Sequence, residues 1–189
     1  MYKLNDVGMK KAFLFLATGF EETEAIGTID VLRRGGVDAR LVSVTGDRTV
    51  ESSHGVKLLA DSLFEETDFT EADALILPGG MPGSNNLNAH AGLKGLLKKQ
   101  YESGRYVAAI CAAPLVLGGL GILEGKQATC YPGFESHLTG AIVTSASAVT
   151  DGNVITGHGP GLVYRFGLAV LEALEGKAVA QTTAAGLLL

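Results

Sequence analysis

Tyr106-Val107-Ala108-Ala109-Ile110-Cys111-Ala112-Ala113-Pro114 decides the fold. Tyr106–Ile110 is an apolar run of strand length, hydrophobic on both faces, as expected of a parallel strand covered by helices. Cys111 ends it, and small Ala112 and Ala113 leave room for a tight turn into a helix spanning Ala112–Leu123. A strand–cysteine–helix elbow puts a thiol at the rim of a sheet, with free backbone N–H groups beside it. The helix N-terminus favours the thiolate. Residue type alone leaves Cys111 open to two readings, a reactive thiol or a buried structural cysteine.

The same rhythm extends in both directions. Ala12–Ala17, Ala39–Val44, Ala74–Leu77 and Val154–Thr156 read as further strands. Glu22–Arg34, Ser84–Ser103 and Leu162–Glu175 read as helices. In the last, Val163, Phe166, Gly167, Val170, Leu171 and Leu174 form one apolar stripe. Alternation of this kind predicts a single-domain α/β protein: a doubly wound, flavodoxin-like, mostly parallel sheet with helices on both faces. Thr49–Leu58 predicts a small extra hairpin off the main sheet. Asp151-Gly152 marks a two-residue hairpin turn before the last strand. Residues 1–9 are expected to be a disordered extension, and 10–189 the domain.

Composition narrows the function. Twenty-six glycines in 189 residues are about twice the usual share. They suit a folded chain rich in special backbone conformations, with Gly35, Gly104, Gly125 and Gly176 placed to close helices. A net charge of −5 without a basic run gives no footprint for nucleic acid or an anionic membrane. Val107–Leu123 is uncharged but short and interrupted by proline and glycine, so no membrane span is expected. Two cysteines form no disulfide framework, which places the chain in a reducing, cytoplasmic setting. No His-x-x-His, Cys-x-x-Cys or carboxylate spacing suggests a metal, and no cofactor is called for.

Ligands of such sheets bind beyond the carboxyl ends of the strands. Besides Cys111, the turns there read Thr18-Gly19-Phe20-Glu21-Glu22-Thr23-Glu24, Pro78-Gly79-Gly80-Met81-Pro82-Gly83 and Gly157-His158-Gly159-Pro160-Gly161. The paired glycines allow close backbone approach and oxyanion binding, or simply make a plain turn. Of the three glutamates, one or two fit as first-turn acids; a third could be an acid/base beside the thiol. His90 and His137 read as surface residues, and Cys130 as a core position.

Phe20–Glu24, Leu77–Gly80, Ala108–Pro114 and Gly157–Gly161, in that order, resemble the ThiJ/PfpI superfamily, in the branch that includes the parkinsonism-associated deglycase. The resemblance runs from about Lys10 to near the C-terminus. It implies that Cys111 is an oxidation-sensitive nucleophile and Glu24 the carboxyl group bonded to its sulfur. Gly79, Gly80 and Ala112 would supply the backbone of an anion pocket. Three positions depart from the family. Ala112 stands where the protease-and-chaperone branch has His, Tyr131 where many deglycase-like members have His, and His158 where the best-known member has Arg. Tyr131, His158 and His54, the last in a region near the family's dimer interface, are the candidate pocket residues.

The resemblance implies an enzyme acting on small aldehydes or dicarbonyls, of the glutathione-independent glyoxalase or deglycase type. Methylglyoxal would pass to lactate through a Cys111 hemithioacetal, with Glu24 as acid/base. The alternative is an oxidative-stress sensor or chaperone that uses the oxidation of a low-pKa, exposed Cys111 without turnover. A homodimer is expected from the family branch and from the apolar tail Ala178–Leu189.

Overall fold

A computed structural model describes residues 8–189. The expected extension therefore lies almost wholly outside the described residues. The strands are β1 (Lys11–Leu16), β2 (Asp38–Ser43), β3 (Thr49–Glu51), β4 (Lys57–Leu59), β5 (Ser62–Leu63), β6 (Ala74–Leu77), β7 (Tyr106–Ile110), β8 (Gln127–Ala128), β9 (Ile142–Val143), β10 (Ala148–Asp151) and β11 (Val154–Gly157). The helices are α1 (Glu22–Arg34), α2 (Gly83–Ala89), α3 (Ala91–Glu102), α4 (Pro114–Gly119), α5 (Val163–Glu175) and α6 (Lys177–Gly186).

Seven strands make the main sheet in the order β10-β11-β7-β6-β1-β2-β5. Every neighbouring pair is parallel except β10 with β11. Alternate residues of β1 face opposite layers: Ala12, Leu14 and Leu16 join one core, Phe13 and Phe15 the other. The first core is closed by α1 and α5 through Val31, Leu32, Phe166 and Leu171. The second is closed by α2, α3 and α4 through Leu87, Leu93, Leu97 and Val116. This is the doubly wound, flavodoxin-like sheet that the alternation of elements predicts.

Close helix packing explains several glycines. A Cβ at Gly167 of α5 would lie 3.1 Å from Val31 Cβ of α1. Gly35 does follow α1, but with φ −79°. It is there for space, since a Cβ would run into the Leu171 side chain. The left-handed conformation falls one residue later, at Gly36.

The small hairpin off the sheet is β3 with β4. The second hairpin pairs Asp151 with Val154, so its loop is Gly152-Asn153, one residue beyond the expected turn. The long helix expected over Ser84–Ser103 is two helices. His90 leaves the helical region (ψ 99°), and its Nδ1 accepts the Leu93 amide at 3.0 Å to cap α3. His90 is thus a half-buried cap packed edge-on against Phe64, not a surface residue. The helix expected to begin at Ala112 starts only at Pro114 and is six residues long. Among the described residues no helix is long and apolar enough to cross a membrane.

Candidate active site at the Cys111 elbow

β1 leads to β2 on one side, while β6 lies on the other, so the chain reverses its strand order between β1 and β6. The crevice at such a reversal is where sheets of this kind bind ligands. The turns after β1, β6, β7 and β11 meet there.

Cys111 sits in the left-handed region at φ +65°, a conformation that costs a residue with a Cβ about 1–2 kcal/mol. Two backbone hydrogen bonds hold it. Its N–H donates to Gly157 O at 2.9 Å, and its carbonyl accepts the Tyr131 amide at 2.8 Å. The elbow is therefore clamped by the end of β11 and the loop after β8. Strain retained at the tip of a strand–helix turn is a common mark of a functional site.

Glu24, one turn into α1, is fully buried. Glu21 ends the loop before α1 and its carboxylate accepts the Glu24 amide at 2.6 Å, so Glu21 is spent on capping the helix. Glu24 Oε2 accepts the Gly79 amide at 2.7 Å. Its Oε1 has no hydrogen-bond partner among the described residues. Burial, opposed by the Gly79 amide and the Cys111 thiol, pushes the Glu24 carboxyl up to about 7. A buried carboxyl oxygen without a donor is the atom best placed to carry a proton.

Cys111 is 8% exposed, so the thiol is not the open one that its place at a rim suggests. Burial, then the charge of Glu24 and its hydrogen bond, push the thiol upward; the amides of Ala112 and Gly80 pull the other way. This corrects the expectation of a thiolate made by the helix N-terminus, because α4 begins three residues later and is short. Two of the upward influences belong to ionised Glu24. Near neutrality the thiol keeps its proton while Glu24 stands poised between carboxyl and carboxylate, so the thiol proton can pass to a carboxylate Glu24. On Glu24 it leaves a thiolate facing two amides; on sulfur it leaves a buried carboxylate.

The paired glycines divide their work. Gly79 was expected in the anion pocket, but its N–H is committed to Glu24; the amides turned toward sulfur are those of Gly80 and Ala112. Gly79 is needed for space as well: a Cβ there would lie 2.7 Å from both Cys111 Cβ and Glu24 Oε2. Gly80, at φ +87°, packs its backbone against Phe20 and Glu21 so closely that no Cβ fits.

The three candidate pocket residues separate. Tyr131 is 46% exposed, and its ring covers Gly159, where a Cβ would lie 3.2 Å from Cδ2. His158 is half-buried with Nδ1 2.9 Å from Thr129 Oγ1. His54 goes elsewhere. The β3–β4 hairpin is tied to the first turn by Ser53 N–H on Phe20 O, and exposed His54 meets Glu22 at 3.0 Å. Burial raises the Glu22 carboxyl, but its own amide, His54 and Ser52 together hold it below the usual range. Glu21, Glu22 and His54 come within 4.8 Å of one another, a ligand-type trio that no local spacing announced. Cys130 is buried in the second core, its thiol pushed up to about 11 by burial and Glu135. Thr129, the partner of His158, gives no signal in the sequence because a lone threonine carries no motif.

A flavodoxin-like sheet with a strained cysteine at the reversal and a buried glutamate under it defines a class of cysteine-elbow α/β proteins. The chain belongs to the DJ-1/PfpI family, whose sequence model matches residues 10–173. It is 39% identical over 181 residues to protein dj-1beta of Drosophila melanogaster, covering 95% of this chain and 97% of that one. Protein DJ-1 homolog B of Arabidopsis thaliana is 42% identical over 170 residues, 89% of this chain and 39% of the relative. The chain spans less than half the length of the two Arabidopsis relatives it matches. Glutathione-independent glyoxalase DJR-1.2 of Caenorhabditis elegans is 35% identical over 158 residues, 82% of this chain and 83% of that one. The crystal structure of Drosophila DJ-1beta superposes with a TM-score of 0.91 at 38% identity, covering 96% and 99% of the two chains.

Proposed function

We propose that the chain acts on small reactive aldehydes, as a glutathione-independent glyoxalase or deglycase-type enzyme working in a reducing cytoplasm. The observation that carries this reading is the buried Glu24 carboxyl, pushed up to about 7 beside the Cys111 thiol. Such a group can both give and take a proton near neutral pH. The relative named as a glyoxalase supports the same class of chemistry.

In the reaction, Cys111 Sγ attacks the aldehyde carbon of methylglyoxal. The thiol proton passes to carboxylate Glu24, a C–S bond forms, the carbonyl π pair moves to oxygen, and Glu24 gives that proton to the oxygen, leaving a hemithioacetal. The amides of Gly80 and Ala112 favour the sulfur and oxygen anions on either side of that step. Glu24, now a carboxylate, removes the C1 hydrogen as a proton while the C2 ketone oxygen takes one up, giving an enediol; Glu24 then returns its proton to C2 as the C1 hydroxyl gives up its own. C1 is thereby oxidised to a thioester and C2 reduced to an alcohol. Water then cleaves the C–S bond, releasing lactate and restoring the thiol. Oxidation at C1 matches reduction at C2, so the overall change is methylglyoxal plus water to lactate. Lactate formed from methylglyoxal without glutathione, by wild type and not by Cys111→Ser, is the expected result. Equal formation by both would remove the proposal.

A second reading is a sensor that uses Cys111 oxidation without turnover. It is favoured by the donors gathered at sulfur, namely protonated Glu24 and the amides of Gly80 and Ala112, which would stabilise a sulfinate. Peroxide treatment should then modify Cys111 before the more deeply buried Cys130, as read by mass spectrometry. We also infer a homodimer, supported by exposed Ile26, Val56, Leu59 and Leu188. A monomeric mass by light scattering would contradict it.

A further inference from the structure

Thr129 and His158 form a pair that the scheme above leaves unused. Thr129 is fully buried, and the only partner of its hydroxyl among the described residues is His158 Nδ1 at 2.9 Å. A buried hydroxyl must place its hydrogen on an acceptor or lose a hydrogen bond. With no carbonyl accepting it among the described residues, the acceptor is Nδ1. In the neutral ring the proton therefore sits on Nε2, which points away from Thr129.

The surroundings fix where the pair stands. Thr129 is itself anchored, its amide donating to Thr156 Oγ1 at 2.9 Å. His158 follows Gly157, whose carbonyl accepts the Cys111 amide, and Thr129 lies two residues before Tyr131, whose amide donates to the Cys111 carbonyl. Both members of the pair thus belong to, or adjoin, the segments that clamp the elbow. Glycine at 159 lets the Tyr131 ring lie against the loop beside His158. An oriented N–H donor beside an aromatic wall suits a second polar oxygen on a substrate already held through its aldehyde carbon.

We infer that His158, oriented by Thr129 as its Nε2–H tautomer, donates to the ketone oxygen of a 2-oxoaldehyde and so selects dicarbonyls over simple aldehydes. The inference rests on the aldehyde-processing reading of Cys111. Thr129 is a positioning residue; His158 is the group that touches substrate.

The test joins a spectrum with kinetics. Long-range 15N–1H spectra, with the His158 signals assigned by their loss in His158→Gln, should show the Nε2–H form in wild type and Thr129→Ser. Thr129→Val should show a mixture of tautomers. With methylglyoxal, KM should rise about fivefold to tenfold in Thr129→Val and His158→Ala, with a smaller change in kcat. Thr129→Ser, which keeps the hydroxyl and controls for folding, should recover wild-type KM. An Nδ1–H tautomer in wild type, or an unchanged KM in Thr129→Val and His158→Ala, overturns the inference even if turnover is intact. Absence of turnover in wild type instead sinks the reading of Cys111, and the spectra alone then judge whether Thr129 orients the ring.

Discussion

Glu24 Oε2 accepts the Gly79 amide at 2.7 Å, while Glu24 Oε1 has no partner among the described residues. One oxygen is tethered to the turn after β6 and the other is left for a proton. The carboxyl is thereby fixed in place without being fixed in charge, which is what a group that must work as both acid and base requires.

That arrangement makes stability depend on pH. The Glu24 carboxyl has an ordinary value of 4.5 and is raised to about 7 in the folded chain. The native state therefore binds more protons than the unfolded state between those values. The contribution is fully present below 4.5 and is lost as pH rises through 7, about 3 kcal/mol in all. Urea unfolding of wild type and Glu24→Gln from pH 4.5 to 8 should show stability falling in the first and a flatter profile in the second. Parallel profiles would contradict the assignment.

Gly79→Ala should harm both fold and site. Its Cβ would meet Cys111 Cβ and Glu24 Oε2, neither of which can move without undoing the elbow or the Gly79 hydrogen bond. Overpacking of this kind costs about 1–3 kcal/mol. The urea midpoint should fall accordingly, and turnover of methylglyoxal should fall with it. Wild-type values of both would show that the turn after β6 is looser than described.

The backbone strain at Cys111 can be read with two substitutions. Glycine normally loses about 0.5–1 kcal/mol to alanine in ordered structure. At φ +65° alanine carries the left-handed penalty of about 1–2 kcal/mol and glycine does not. Cys111→Gly should therefore be at least as stable as Cys111→Ala in urea. A clearly less stable glycine variant would mean the strain is absent.

Much of this was legible in the residues because it is local. Tyr106–Ile110 is wholly apolar and ends on a cysteine before small residues, so strand, elbow and thiol could be read together. Three glutamates at the start of α1 offered an acid/base, but only the family resemblance singled out Glu24 among them. What escaped depends on direction or on distant partners. Sequence cannot say that the Gly79 N–H turns to Glu24 while those of Gly80 and Ala112 turn to sulfur. It cannot bring His54 to Glu22, which requires the tie between Ser53 and Phe20. The break at His90 was hidden because neither proline nor glycine stands at 89–91; it is made by the extended backbone of His90 and its side-chain cap on Leu93. The apolar tail Ala178–Leu189 predicts a surface to bury, and buried Ala180 and Thr183 show that α6 already covers part of that face against the domain.

The central claim is that a proton passed from Cys111 to Glu24 drives turnover of a dicarbonyl. It is tested most directly by steady-state lactate production from methylglyoxal, without glutathione, by wild type, Cys111→Ser and Glu24→Gln. We predict turnover by wild type, none by Cys111→Ser, and a fall of about 10²- to 10⁴-fold in kcat for Glu24→Gln. Glu24→Gln turning over like wild type, or wild type forming no more lactate than Cys111→Ser, would contradict it.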